Sequence, residues 1–312
     1  MRLSNLLGYY KNGNYWVSIF NDGTKVRSNN LDYFEADTVE SMDIKITDKC
    51  DRNCKYCHEG SSMFGKHADI LSPSFLDKLH PYTELAIGGG NPLSHPDLHE
   101  FLIRCRKRGQ LPNITVNQVH FEKEFDRIYK YAVEEGLLFG VGVSLVKVND
   151  NLIELLKKLP NAVIHVINGI VTEEELSKLK GYGFKILILG YKEVRRGKNF
   201  YDKSSDVIES NKRDMLNYLL YKMVEEKWFK VISFDNLAIK QLSVKSLMTE
   251  EQWNKFYMGD DGQDGQQSSA TFFVDMVKRQ FAKNSCAPIE ERYPLMDTAE
   301  KMFKFLKDGG KN

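Results

Sequence analysis

Residues 42–57 read MDIKITDKCDRNCKYC. MDIKIT (42–47) is a short, apolar, partly β-branched run that reads as a strand. Three cysteines follow it within eight residues, at 50, 54 and 57. The rest of the 312-residue chain holds only two more, Cys105 and Cys286. A strand running directly into three crowded thiols poses two questions: which fold delivers a strand end to such a centre, and what needs three thiols rather than four.

Outward from this stretch a rhythm begins. ELAIGGG (84–90), NITVN (113–117), FGVGVSL (139–145), AVIHVING (162–169), FKILILGY (184–191) and KVISFDN (230–236) are further strand candidates. Between them lie helix-like runs of about ten to fifteen residues, among them HPDLHEFLIRCRKRG, FEKEFDRIYKYAVEEG and SNKRDMLNYLLYKMVEEKW. This is the parallel βα pattern. Six or seven units favour an α/β barrel or partial barrel over a three-layer sheet, though periodicity alone leaves both open. In barrels of this kind reactive groups sit at the C-terminal ends of strands, and the cysteines follow the first strand.

The flanks read differently. Residues 8–30 carry N-G and D-G turn dipeptides between alternating apolar residues, the signal of a β-hairpin or small meander. The expected division is an N-terminal β-hairpin appendage over 1–40, a barrel core over 41–240 and a C-terminal extension over 241–312. Within the extension, MGDDGQDGQQSS (258–269) is a Gly/Asp/Gln-rich loop. This loop and the N-terminal hairpin are expected to shape access to the site.

Bulk composition excludes several classes. Lys and Arg number 44 against 43 Asp and Glu, a net charge of +1, so no global field draws in nucleic acid or an anionic membrane. No run approaches 18 apolar residues, and the N-terminus lacks the apolar core of a signal peptide. The expectation is a soluble, cytoplasmic protein. Five cysteines, three of them crowded together, argue against a disulfide framework and for metal or redox chemistry. Structural zinc usually takes four ligands, often as two C-x2-C pairs, and no second pair exists here. A 4Fe–4S cluster held by three thiolates keeps one iron open to a substrate or cofactor. A zinc knuckle borrowing Cys286 or His58 is the competing structural reading.

The spacing C-x3-C-x2-C, with Tyr56 before the last cysteine, resembles the C-x3-C-x-aromatic-C signature of radical S-adenosylmethionine (SAM) enzymes. The resemblance covers roughly residues 42–240. It implies a partial (β/α)6 TIM-like barrel, and a 4Fe–4S cluster on Cys50, Cys54 and Cys57. It further implies that SAM binds the open iron and is cleaved by one electron, the resulting 5′-deoxyadenosyl radical abstracting hydrogen from a substrate. The electron would come from a reductase or a flavodoxin-type donor. Gly88-Gly89-Gly90-Asn91-Pro92 stands where the family often has G-G-E-P. Here Asn replaces Glu, so the carboxylate expected at the SAM amino group is lost. The resemblance also points to Asn117 and Ser144 as SAM-facing strand ends, to Asn168 with Gly169, and to Gly190 and Tyr191, near the adenine.

Other candidates come from the residues themselves. Arg195 and Arg196 could hold a carboxylate or phosphate, or form a solvated charged face. The loop residues His58, Glu59, Ser61, Ser62, Lys66, His67 and Asp69 either seal the site or are solvated. Asp235 ends the last candidate strand and either bonds a substrate or caps the next segment. Asp275 lies in the apolar run TFFVDMV, where a carboxylate needs a partner. Cys286 is a candidate hydrogen-atom donor or simply a small buried hydrophobe. Cys105 follows helix periodicity and reads as core. Two leftover cysteines are too few for the second cluster of the family's peptide-maturing branch with a cysteine-rich C-terminal extension. The reaction classes that survive are an enzyme acting on a peptide or small metabolite, a glycyl-radical-type activase, and a nucleotide modifier. Charge balance argues against a large RNA. The non-enzyme class is a structural zinc or iron–sulfur module.

Overall fold

The computed structural model describes residues 5–31, 33–256 and 270–310. The 258–269 loop singled out from the sequence lies outside the described residues. At the N-terminus, β1 (Leu6–Asn12), β2 (Tyr15–Phe20) and β3 (Lys25–Ser28) form an antiparallel sheet in that order. The N-G and D-G dipeptides supply the positive φ at its two turns, 55° at Gly13 and 83° at Gly23.

The main sheet begins with β4 (Ser41–Thr47), β5 (Glu84–Gly89), β6 (Leu111–Asn117), β7 (Gly140–Ser144), β8 (Ala162–Ile167), β9 (Lys185–Leu189) and β10 (Val231–Phe234). Each is parallel to the next, as the βα rhythm predicts. The sheet does not close. On the free side of β4, β11 (Thr271–Asp275) pairs in parallel, followed by the antiparallel β12 (Gln280–Ala282) and β13 (Tyr293–Pro294). The expected partial barrel is present, and the C-terminal segment extends the same sheet. TFFVDMV, an apolar run in the sequence, supplies this strand, and its pairing across more than two hundred residues leaves no local signal.

Alternation decides the two faces. Met42, Ile44 and Ile46 of β4 are buried outward, under the helical layer. That layer includes Leu98–Lys107, which buries Leu98, Phe101, Leu102 and Cys105, and Asp150–Lys157, which buries Leu152, Ile153 and Leu156. Each such side chain contributes about 1.5–3 kcal/mol relative to exposure. The inward face is mostly small or polar, Asp43, Ala86, Thr115, Gly142, His165 and Ser233, with Val163 and Leu187 among its apolar members. Side chains of this size cannot fill the centre, and a cavity of about 490 Å³ remains.

The N-terminal sheet seats on the end of the barrel opposite the cysteines. Lys25 bridges Glu84 at the start of β5 (2.6 Å). Asn161 Nδ2 donates to the Asn21 carbonyl (2.8 Å) and Lys185 Nζ to that of Asp22. The sheet therefore closes the floor of the cavity rather than the mouth where access was expected. Its anchor is Glu40, 1% exposed, which accepts from the Tyr15 hydroxyl (2.6 Å) and from Arg27 Nη2 (2.7 Å). Burial alone would raise the Glu40 pKa, but Arg27 and Lys25 outweigh it and hold the carboxyl below its ordinary value. A lowered folded pKa means stability that is complete above the unfolded value of about 4.3 and lost as pH falls through the folded one. The melting-temperature gap between wild type and Glu40→Gln is therefore expected to be full at neutral pH and to shrink below about pH 4.3. A gap that does not change with pH would contradict this linkage.

Candidate functional site

The cysteines lie on the loop leaving β4. Four backbone bonds fold this loop back on itself: Asp48 N–H to Lys66 O, Ser62 N–H to Asp48 O (3.1 Å), Cys50 N–H to Ser62 O (2.8 Å), and Ala68 N–H to Ile46 O (2.9 Å). Cys50, Cys54 and Cys57 are free thiols, each half-buried. They are near enough to act on one another. Burial raises the Cys54 thiol pKa, and the neighbouring Cys57 and Cys50 add to it. Burial likewise raises Cys50. Asn117, at the end of β6, points Nδ2 at Cys54 Sγ (3.9 Å) while its Oδ1 caps the helix Gln118–Lys123 at Val119 N–H (3.0 Å).

Two arginines after β9 hold the loop. Arg195 Nη1 donates to the carbonyls of His58 (3.1 Å) and Glu59 (2.6 Å). Arg196 donates to the carbonyls of Cys54 (3.0 Å) and Ser61 (2.8 Å). Both alternatives read from sequence, an anion site and a solvated face, give way to a third, because guanidinium forks also serve main-chain oxygens. Tyr56 sets its ring edge-on to Phe200 at 6.0 Å, anchoring the loop to the helix Arg196–Asp214.

Below the loop, Lys45 is 2% exposed. Its Nζ lies 2.6 Å from Asp48, 2.7 Å from Glu59 and 3.7 Å from Asp275. Burial pushes the Glu59 pKa up, but the hydrogen bond with His58 and the Lys45 charge outweigh it, leaving Glu59 well below the usual carboxylate range. Sequence reading missed this hub. Its signal was a lysine inside the apolar run IKIT.

The glycine segment divides its work. A Cβ on Gly88 would meet nothing within 4 Å, so this strand end faces open space. Gly89, at φ +112°, would place a Cβ 2.4 Å from Thr47 O, and Gly90 one 2.3 Å from Lys49 O. Those two glycines let the segment lie against the cysteine loop. Asn91 is buried, donates its N–H to Lys49 O (2.8 Å) and caps the next turn at Leu93 N–H (3.2 Å). Its side-chain oxygen serves the backbone where an ammonium was expected.

The remaining candidates gather at the same strand ends. Ser144 closes β7 in register with Asn117. Asn168 is fully buried, with Nδ2 on Gln241 (3.3 Å) and Oδ1 unpartnered among the described residues. Gln241, which sequence reading passed over, also clamps both backbone groups of Tyr191 (2.9 Å each), whose hydroxyl donates to Gly197 O. Gly190 donates to Asp235 Oδ1 (2.9 Å), and that same oxygen caps Ala238 N–H (2.7 Å). Asp235 thus joins β9 to the helix Asn236–Gln241, the capping alternative of the two read from sequence. Asp275 accepts from Lys278 N–H (3.0 Å) and finds its charge partner in Lys45. Cys286 keeps a free, half-buried thiol beside Ser285, whose Oγ accepts from Lys192 (3.3 Å).

A strand end followed by three half-buried thiols on one loop, in an open α/β barrel, defines a class. The family model described as "Radical SAM superfamily" matches residues 44–166. Over those residues the chain is similar to that superfamily, whose members use a 4Fe–4S cluster and SAM. Over 162 residues it is 29% identical to a "Probable GTP 3',8-cyclase" of Methanococcus aeolicus, covering 48% of this chain and 51% of that protein. Over 88 residues it is 27% identical to the "PqqA peptide cyclase" of Streptomyces rochei, covering 27% of this chain and 24% of that one. The chain thus spans about half of the first relative and about a quarter of the second. Streptococcus suis SuiB, solved with its precursor peptide SuiA, has the same fold: TM-score 0.51, 14% identity, 79% of this chain and 59% of that one. No helix among the described residues is long and apolar enough to cross a membrane.

Proposed function

We propose that this chain cleaves SAM reductively at one 4Fe–4S cluster and uses the radical to take a hydrogen atom from a peptide or small molecule. The observation that carries the reading is the set of three free, half-buried thiols, spaced C-x3-C-x2-C on the loop after β4. Thiolates are the usual ligands of such clusters, and the donor set fits. Cys50, Cys54 and Cys57 are the proposed ligands. When bound, the cluster and SAM together supply the 5′-deoxyadenosyl radical.

The chain's own residues do the rest. Arg195 and Arg196 fix the loop through its carbonyls, so the thiols meet the cluster already positioned. Asn117 offers its Nδ2 to Cys54 sulfur. Gly88 leaves room at the neighbouring strand end, where the SAM methionine moiety is proposed to lie. Ser144 and the Asn168, Gly190 and Tyr191 segment border the proposed adenine side. Cys286 is the candidate hydrogen-atom donor. A peptide is favoured as substrate because two of the similar proteins are named for peptides, a PqqA peptide cyclase and SuiB with its precursor peptide. The electron is proposed to come from a reductase or flavodoxin-type protein.

One observation favours a second reading. Ligand atoms of Cys50, Asp51 and His120 lie within 4.8 Å of one another, a set suited to a single divalent ion. His58, the histidine this alternative borrowed from sequence, is instead turned to Glu59 (3.1 Å). Electron paramagnetic resonance of the anaerobically purified, reduced protein separates the two. The expected result is a cluster signal that shifts when SAM is added. A signal indifferent to SAM, or zinc with no iron, would refute the proposal.

A further inference from the structure

The cavity inside the barrel holds a carboxyl group that has no hydrogen-bond or ion-pair partner among the described residues. Asp43 points inward from the middle of β4, between the cysteine layer above and the turn Asp22–Thr24 below. Its side chain is open and lines the cavity. Among the described residues it has neither a hydrogen bond nor an ion pair. The other charged groups lining the cavity are occupied. Glu84 pairs with Lys25, Asp22 accepts from its own turn at Thr24 N–H (3.0 Å), and Lys185 donates to Asp22 O and Asn161 Oδ1 (3.2 Å).

The surrounding charges are of both signs, and none lies within ion-pair distance of Asp43. Lys192, Asp235 and Glu59 are the ionisable groups whose fields reach Asp43, one cation against two anions. Lys192 donates to Ser285, and Glu59 is held by Lys45. His165, across the cavity, is pushed down to about 4 by burial and is neutral at physiological pH. Gly142 makes room for its ring: a Cβ there would lie 2.5 Å from His165 Cε1. Burial raises the Asp43 pKa. An unpaired carboxylate in an enclosed space is costly unless a ligand pairs it.

We propose that this cavity binds a cationic nitrogen of the substrate, an ammonium or guanidinium group, with Asp43 as its counter-ion and the neutral Thr115, His165 and Ser233 around it. This rests on the reading of the chain as a radical SAM enzyme whose substrate enters the barrel. Asp43 here determines specificity and takes no part in the proposed cleavage of SAM.

The test uses the full chain, reconstituted anaerobically with its cluster and mixed with SAM. Nα-acetyl-lysine amide, Nα-acetyl-arginine amide and the neutral, near-isosteric Nα-acetyl-norleucine amide are titrated by ligand-observed nuclear magnetic resonance. At least one cationic probe is expected to bind about tenfold or more tighter than the neutral one, as a charge-assisted pair allows. Asp43→Asn is expected to remove that preference. Ala86 neighbours Asp43 in strand register, so Ala86→Lys supplies an internal ammonium and is expected to remove it as well, should Asp43→Asn not fold. Equal affinities, no saturable binding of either cation, or a preference that survives the folded variants would overturn the inference. A SAM-sensitive cluster signal without cation preference removes this inference alone. Cation preference in a protein whose cluster ignores SAM removes the proposed reaction and leaves the site.

Discussion

Cys54→Ala is expected to bring the SAM-sensitive cluster signal and SAM cleavage below detection, and Cys50→Ala and Cys57→Ala are expected to do the same. Only three thiols are available at the loop, so each loss leaves two for the cluster. The two other cysteines cannot substitute. Cys105 is buried under the outer helical layer, with its pKa pushed up to about 12 by desolvation. Cys286 lies on the C-terminal segment after β12, its N–H bonded to Asn284 Oδ1 (2.9 Å). Half-burial also disfavours the thiolate form of Cys54, so free energy of metal binding must offset deprotonation at this residue. Iron content, the resonance signal with SAM, and 5′-deoxyadenosine release are the three readings, with Cys105→Ala as the control that should retain all of them. Cleavage retained in any one of the three loop variants would sink the ligand assignment.

The largest effect on stability is expected at Lys45. Lys45→Met keeps the aliphatic stem and removes the cation on which Asp48, Glu59 and Asp275 converge. Asp48 is 28% exposed at its side chain and can turn to solvent, but Glu59 at 11% and Asp275 at 1% cannot. Breaking a buried pair by deleting one partner costs about 3–5 kcal/mol, because the other charge stays buried and unanswered. For a chain of this size that is a fall in melting temperature of roughly 10 °C. Neutralising the partners as well, with Glu59→Gln and Asp275→Asn in the Lys45→Met background, is expected to recover much of the loss. A single variant that melts within about a degree of wild type would mean these charges are solvated and the hub contributes little.

Much of the fold was legible because βα units write themselves locally. Apolar β-branched runs such as AVIHVI and KILIL, separated by helix-length segments, announce parallel strands wherever they stand. The cysteine spacing was legible for a similar reason, since its three thiols lie within eight residues on one loop. What escaped was non-local. The pairing of β11 with β4 leaves no trace near residue 271. The grip of Arg195 and Arg196 on carbonyls about 135–142 residues away is equally silent in sequence. Asn91 and Asp235 also act as caps, a use of the side chain that only the folded backbone reveals.

The barrel rhythm, the N-terminal antiparallel sheet and the position of three thiols after the first barrel strand are written locally, because turn chemistry, periodicity and ligand spacing are properties of neighbouring residues. The burial of Lys45 as a hub and the seating of the N-terminal sheet under the barrel follow from long-range packing. So does the position of Asp43, unpaired among the described residues, in a central cavity. A charge's partners, and the space in front of it, are set by strands that meet through the fold, and that geometry exists only once the chain has closed around it.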